Sequence, residues 1–162
     1  MDPKKIEALV RRIGSNPDMS IKAARELRGA LGDRVASILL ETYRDSRIWR
    51  QRVWCVYLSI PYARSNRDAF TLGIEALADN SRIVRYRACM LLAYSLNDDA
   101  LPFLKALFAH KDTKTAEHAK AAVDAIVHKN HNYFVDRDHS GRLTLSIPES
   151  YHRRNEIAST SE

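Results

Sequence analysis

The chain has 162 residues, 45% of them apolar and 28% charged, a length and balance suited to one globular domain with a sizeable buried core. Its 26 Lys and Arg against 20 Asp and Glu leave a net charge of +6, which favours an anionic partner over a cationic one. No run approaches the roughly 18 to 20 consecutive apolar residues that span a bilayer, so a membrane protein is excluded and a cytoplasmic location is expected.

Only five Gly and five Pro interrupt a sequence rich in Ala, Leu, Arg and Lys, so helix is predicted nearly throughout. "DPKKIEALVRRI" opens a charged amphipathic helix with Asp2 as N-cap and Pro3 at the first helical position, and it lacks the apolar core of a signal peptide. "GSNPD" ends it. "MSIKAARELRGALG" follows, closed by Gly32, and Asp33 restarts the chain into "RVASILLETYRD". Next come "SRIWRQRVWCVYLSI", broken by Pro61, and "SNRDAFTLGIEALADN". "SRIVRYRACMLLAYSL", "DDALPFLKALFAHKD" and "TKTAEHAKAAVDAIVHKN" complete eight segments. Their short joints imply antiparallel neighbours. Cys55 and Cys89 sit in apolar stretches and read as reduced core residues.

Residues 1–129 hold 22 basic and 15 acidic side chains, whereas residues 130–162 hold four and five. The chain therefore divides into a basic helical body, 1–129, and a C-terminal tail, 130–162.

"SRIWRQR" from Ser46 and "SRIVRYR" from Ser81 share five of seven letters at an offset of 35 residues. Beyond the heptad, Ile48, Val53, Val56 and Leu58 fall opposite Ile83, Ala88, Leu91 and Ala93. "IEALADN" from Ile74 echoes "LKALFAHK" from Leu104, and "TAEHAKAAVDAI" offers a degenerate third copy. A fixed period of this size marks helix pairs that bury their apolar faces only by stacking. Residues 79–93, "DNSRIVRYRACMLLA", resemble the first helix of a HEAT repeat, with Asp79, Val84, Arg85, Ala88 and Leu92 at the motif positions. The Ser46 copy departs from the motif, with Arg44 in the Asp position and Trp49 in that of the Val. The resemblance implies an all-α, right-handed α-α superhelix of about four HEAT-like helix pairs, carrying a short extended or β-hairpin tail.

In such a stack, the resemblance implies, Arg50 and Arg85 lie along the seam between units, with Asp45 and Asp79 as the available partners. Residues 44–67 nevertheless contain Arg44, Arg47, Arg50, Arg52, Arg64 and Arg67 beside a single acid, Asp45. Arg47 and Arg50 lie about 60° apart on a helix and share a face. Arg82 and Arg85 repeat the arrangement, so stacking predicts a row of cations about ten ångströms apart. Trp49 and Tyr57 are expected in the core, Tyr62 and Tyr86 at the surface. With Thr71, Glu75 and Lys105 on the second helices, these residues form a candidate surface for an acidic protein partner. The same arginines and tyrosines suit nucleic acid as the alternative, in a build related to the HEAT-like alkylpurine DNA glycosylases, although no catalytic constellation of theirs can be placed on this chain.

"DRDHSGRLTLSIPE" resembles the opening of a calcium loop, with Asp136, Asp138 and Ser140 at alternate positions and Gly141 next. Ile147 replaces the closing Glu, and Glu149 comes two residues late, so an Asp/Gly turn is the preferred expectation over a weak divalent-cation site. His128 and His131, with His118 and His139, raise zinc without a recognised ligand spacing. There is no phosphate loop, nucleophile elbow, other cofactor signature or evident small-molecule site. The expected function is non-enzymatic binding, by an adaptor or a small inhibitor of immunity type. "NEIASTSE" reads as a polar end.

Overall fold

Capping side chains set where the helices begin. In the computed structural model, which describes residues 1–148, Asp2 accepts from Lys4 N at 3.2 Å and caps α1 (Pro3–Arg12). Asn16 caps α2 (Pro17–Leu31) through Met19 N at 2.9 Å. Between them Gly14 holds φ at 93°, and a Cβ there would lie 2.7 Å from Gln51 Cα, so only glycine admits this joint against the backbone at Gln51. A 3₁₀ turn, Gly32–Arg34, leads into α3 (Val35–Asp45), and α4 (Trp49–Ser59) ends in a second one containing Pro61. Asn66 caps α5 (Arg67–Ala76), and Ser81 caps α6 (Arg82–Ser95), which stops at Leu96 in the left-handed region.

The seventh predicted segment is the one that shortens. After α7 (Leu101–Lys105), Leu107, Phe108 and His110 each donate to a carbonyl three residues back, so the winding tightens out of α-helix. Asp112 then caps α8 (Thr113–Val127) through Lys114 N.

Helix packs on helix. α4 packs against α6 and α6 against α8, while α3 packs against α5 on the other side. α6 lies between α4, α5 and α8, and Ala88, Cys89, Leu91, Leu92 and Ala93 are 0% exposed. A helix enclosed this way is apolar around most of its girth, as its middle turns are. Gly73 of α5 makes the close approach: a Cβ there would meet Leu91 Cδ2 at 2.5 Å.

The packed unit does not stop at the sequence boundary after residue 129. Phe134, in a 3₁₀ turn at His131–Phe134, is 0% exposed and packs beneath α6 and α8, and Leu145 is 9% exposed beside it. Leu145 N donates to Asn132 Oδ1 at 2.9 Å. The hairpin form of the tail is absent among the described residues, because "NYFV" is drawn into that 3₁₀ turn by the Asn130 cap. No strand forms among the described residues, and no helix among them is long and apolar enough to cross a membrane. Glu149 and "NEIASTSE" lie outside the described residues.

Candidate functional site

The arginines sort themselves by partner. Arg52 Nε donates to Asp79 Oδ2 at 2.8 Å and Nη2 to Oδ1 at 3.2 Å, while Nη1 reaches back to the Ser46 carbonyl at 3.3 Å. Arg85 repeats the pattern: Nη2 donates to Asp112 Oδ2 at 3.0 Å and Nη1 to the Asp79 carbonyl at 2.8 Å, while Nε donates to Thr115 Oγ1. Thirty-three residues separate Arg52 from Arg85, Ser46 from Asp79 and Asp79 from Asp112.

This corrects two expectations. The first is the seam register: Arg52 holds the position expected for Arg50, and Arg85 takes Asp112 as its carboxylate, contacting Asp79 only through the backbone. The second concerns Arg85 as a binding residue, because it is 8% exposed with its donors committed. Asp79 also accepts from Tyr43 Oη at 2.8 Å and Ser81 N at 2.9 Å. Burial alone would raise its carboxyl, but the bonds from Arg52, Ser81 and Tyr43 outweigh that and hold it below the usual range. Arg82, Thr115 and Arg85 hold Asp112 lower still. Tyr43 is pushed up by burial and by the carboxylate beside it.

The first turn of α4 is tied to the loop before α6, and that of α6 to the loop before α8, so these turns line one edge. Ile48 (64% exposed), Trp49 (42%) and Ile83 (48%) stand out along it. Trp49 was expected in the core. A slip of two residues turns a helical position by about 200°, which puts its side chain outside. Arg47 and Arg50 share the edge. Among the described residues neither makes a hydrogen bond or ion pair, and Arg50 lies 5.4 Å over the Trp49 ring. Arg82 is exposed, yet Nε donates to Asp112 at 2.7 Å.

Two concavities stand out, the first beside this edge and the second at the opposite ends of α4 and α6, among the residues that follow their last turns. One, of about 520 Å³, is lined by Arg82, Ile83, Tyr86, His118, Phe134, Val135 and Arg137. Tyr86 is half-buried there, 4.7 Å from the His118 ring and 5.6 Å from Phe134. Arg137 Nη2 donates to His118 Nδ1 at 2.8 Å, and burial followed by the charge of Arg137 pushes that imidazole down. The other concavity, of about 550 Å³, brings together Arg64, Arg67 and Thr71 with Asn66 and Asp99. Arg64 Nε donates to the Tyr94 carbonyl at 2.8 Å and Nη2 to His131 Nδ1 at 2.8 Å.

Other predicted residues stand apart. Arg44 is paired with Glu75, and Lys105 is exposed on α7, lining neither concavity. Tyr62, expected at the surface, is 4% exposed: the turn after Pro61 folds it inward, with Arg28 5.7 Å above its ring.

Asp136 is 2% exposed and spends its carboxylate on its own loop. Ser140 N and Oγ donate to Oδ1 at 3.0 and 2.6 Å, and Gly141 N to Oδ2 at 2.7 Å, which also keeps its pKa low. Asp138 points to solvent. The Asp/Gly turn is what forms.

The sequence had suggested no role for Arg87, Phe134 or Arg137. The guanidinium of Arg87, the last residue of the "SRIVRYR" heptad, lies 4.4 Å over Tyr57 and 5.4 Å over Tyr86. Phe134 and Arg137 come from the segment set aside as tail, Phe134 from the apolar run "NYFV" and Arg137 from the Asp/Gly loop that follows it. No family model matches the chain, and no curated protein matches it in sequence.

Proposed function

We propose that the protein is a non-enzymatic protein-interaction module, built as a right-handed stack of about four HEAT-type helix pairs, that docks an acidic partner on the edge formed by the first turns of α4 and α6. The 33-residue recurrence of the arginine seam supports the stack. One observation carries the function: exposed Ile48, Trp49 and Ile83 lie beside Arg47 and Arg50, neither of which makes a hydrogen bond or ion pair among the described residues. An apolar anchor ringed by cations suits a protein surface that presents both an apolar side chain and carboxylates. A phosphate backbone gains little from Ile48 or Ile83, and the tyrosines needed to stack on bases are tucked away, Tyr62 in the core and Tyr86 against His118 and Phe134. An adaptor or a small inhibitor of immunity type fits this arrangement. Its location follows as cytoplasmic.

Fluorescence polarisation with a labelled Glu/Leu-rich peptide, and in parallel with single- and double-stranded DNA and RNA at two salt concentrations, tests the proposal. Peptide binding that Trp49→Ala or Ile83→Ala weakens by about tenfold or more, the loss typical of an anchor residue, supports it. Tight nucleic-acid binding that falls steeply with salt and ignores both substitutions refutes it in favour of a basic HEAT-like nucleic-acid binder.

A further inference from the structure

We propose that Asp124, His128 and His139 form a binding site for a divalent transition-metal ion of the zinc type. Asp124 and His128 stand one turn apart on the same face of α8, and the loop after Phe134 brings His139 back to that face. Asp124 Oδ1 lies 3.0 Å from His128 Nδ1, and Oδ2 lies 2.5 Å from His139 Nε2. The three ligand atoms all fall within 4.8 Å of one another. Tetrahedral zinc, with bonds of about 2.0–2.2 Å, needs its ligands roughly 3.3–3.5 Å apart. Rotation of the Asp124 and His128 side chains, both reached by solvent, closes that difference. Two imidazoles and one carboxylate suit zinc, copper or nickel, whereas calcium and magnesium prefer an all-oxygen shell. The site thus uses the loop that in sequence resembles the opening of a calcium loop, but through its histidine.

His139 is held in place. Its ring stacks on Tyr133 at 3.7 Å and 9°, and its backbone sits at φ 54°, in the left-handed region that a non-glycine residue occupies only when its surroundings impose it. What imposes it is the Asp136 turn: His139 N donates to the Asp136 carbonyl at 3.0 Å, and the Asp136 carboxylate fixes Ser140 and Gly141 beyond. A ligand supported by its own second layer of contacts is the arrangement metal sites require. On binding, each imidazole gives up the proton that its nitrogen now donates toward Asp124: a neutral ring takes up a proton from solvent on its other nitrogen as the donated one leaves, and a doubly protonated ring releases one proton to solvent. Two N–metal bonds and one O–metal bond then replace the two His–Asp hydrogen bonds. Water completes the coordination, and the ion ties the loop to α8.

The test is isothermal titration of chelator-treated, full-length protein with zinc chloride. One ion per chain is expected. Asp124→Asn, His128→Gln and His139→Gln should each weaken binding by at least about tenfold, while His110→Gln, at the other end of α8, leaves it unchanged. Cobalt(II) should give tetrahedral d–d absorption that the same three variants lose. The three positions are solvent-reachable, and far-UV circular dichroism establishes that each variant is folded. Absence of stoichiometric zinc binding, or an affinity indifferent to His139→Gln, overturns the proposal.

Discussion

Removing the Asp79 carboxylate tests the seam directly. Its side chain is 4% exposed and accepts four hydrogen bonds, two from Arg52 and one each from Tyr43 Oη and Ser81 N. Asp79→Ala leaves the Arg52 guanidinium without a counter-charge at 16% exposure and strands a buried hydroxyl. Breaking a buried pair by deleting one partner costs about 3–5 kcal/mol. Arg52 retains some access to water, so the lower end applies, about 3 kcal/mol. For a domain of this size that is a fall in Tm of roughly 6–12 °C. Arg50→Ala, which severs no bond among the described residues, should stay within about 0.5 kcal/mol of wild type. Urea unfolding followed at 222 nm measures both. In the double variant Arg52→Ala/Asp79→Ala, the losses should be less than additive, because the second deletion removes the stranded charge. The dependence on acidity has a fixed sign. Asp79 is held below the ordinary carboxylate value, so its contribution is complete above about pH 4 and disappears as pH falls through the folded-state value. A loss below about 1 kcal/mol for Asp79→Ala, or an equal loss for Arg50→Ala, would refute the 33-residue seam.

Gly73→Ala should destabilise the protein by about 1–3 kcal/mol, because the added methyl would meet Leu91 and Leu92, both 0% exposed and unable to yield; thermal melts report it, and an unchanged Tm would mean α5 and α6 can part cheaply. His118 and His131 each accept from an arginine and have depressed pKa values, first through burial and then through that charge. Below about pH 6.5 the unfolded chain takes up protons that the folded one refuses, so Tm should fall between pH 7.5 and 5.5. The His118→Gln/His131→Gln variant should show a shallower fall, and equal slopes would count against the assignment.

Helix content and order were legible in the sequence because caps are local. Asp2, Asn16, Asn66, Ser81 and Asp112 each bond a backbone N–H within three residues, and each marks a helix start. The pairing between units was not legible, because it depends on loop lengths that matching letters ignore. α4 follows α3 after Ser46, Arg47 and Ile48, whereas five residues separate α5 from α6. The letters therefore align at 35 while the hydrogen bonds align at 33. With the bonds as guide, Cys55 matches Ala88, Val56 matches Cys89 and Ile60 matches Ala93, all 0% exposed. With the letters as guide, exposed Trp49 was matched to buried Val84 and placed in the core. The concavity beside α6 was hidden for another reason: Phe134 and Arg137 reach it from a segment whose composition looks like a polar tail.

The seam also has a direction. Each bond runs from an arginine to a carboxylate 27 residues further along the chain, never the reverse. Stepping 33 residues back from Arg52 reaches Met19, which has nothing to donate, and stepping 33 forward from Arg85 reaches His118, which accepts from Arg137 instead of giving. The two ends of the series are thus chemically unlike each other and unlike its middle. Another copy of the chain arriving at either end would meet a thioether or an already engaged imidazole. The arginine that makes this bond is present at two successive positions of the 33-residue spacing and replaced at the next one on either side.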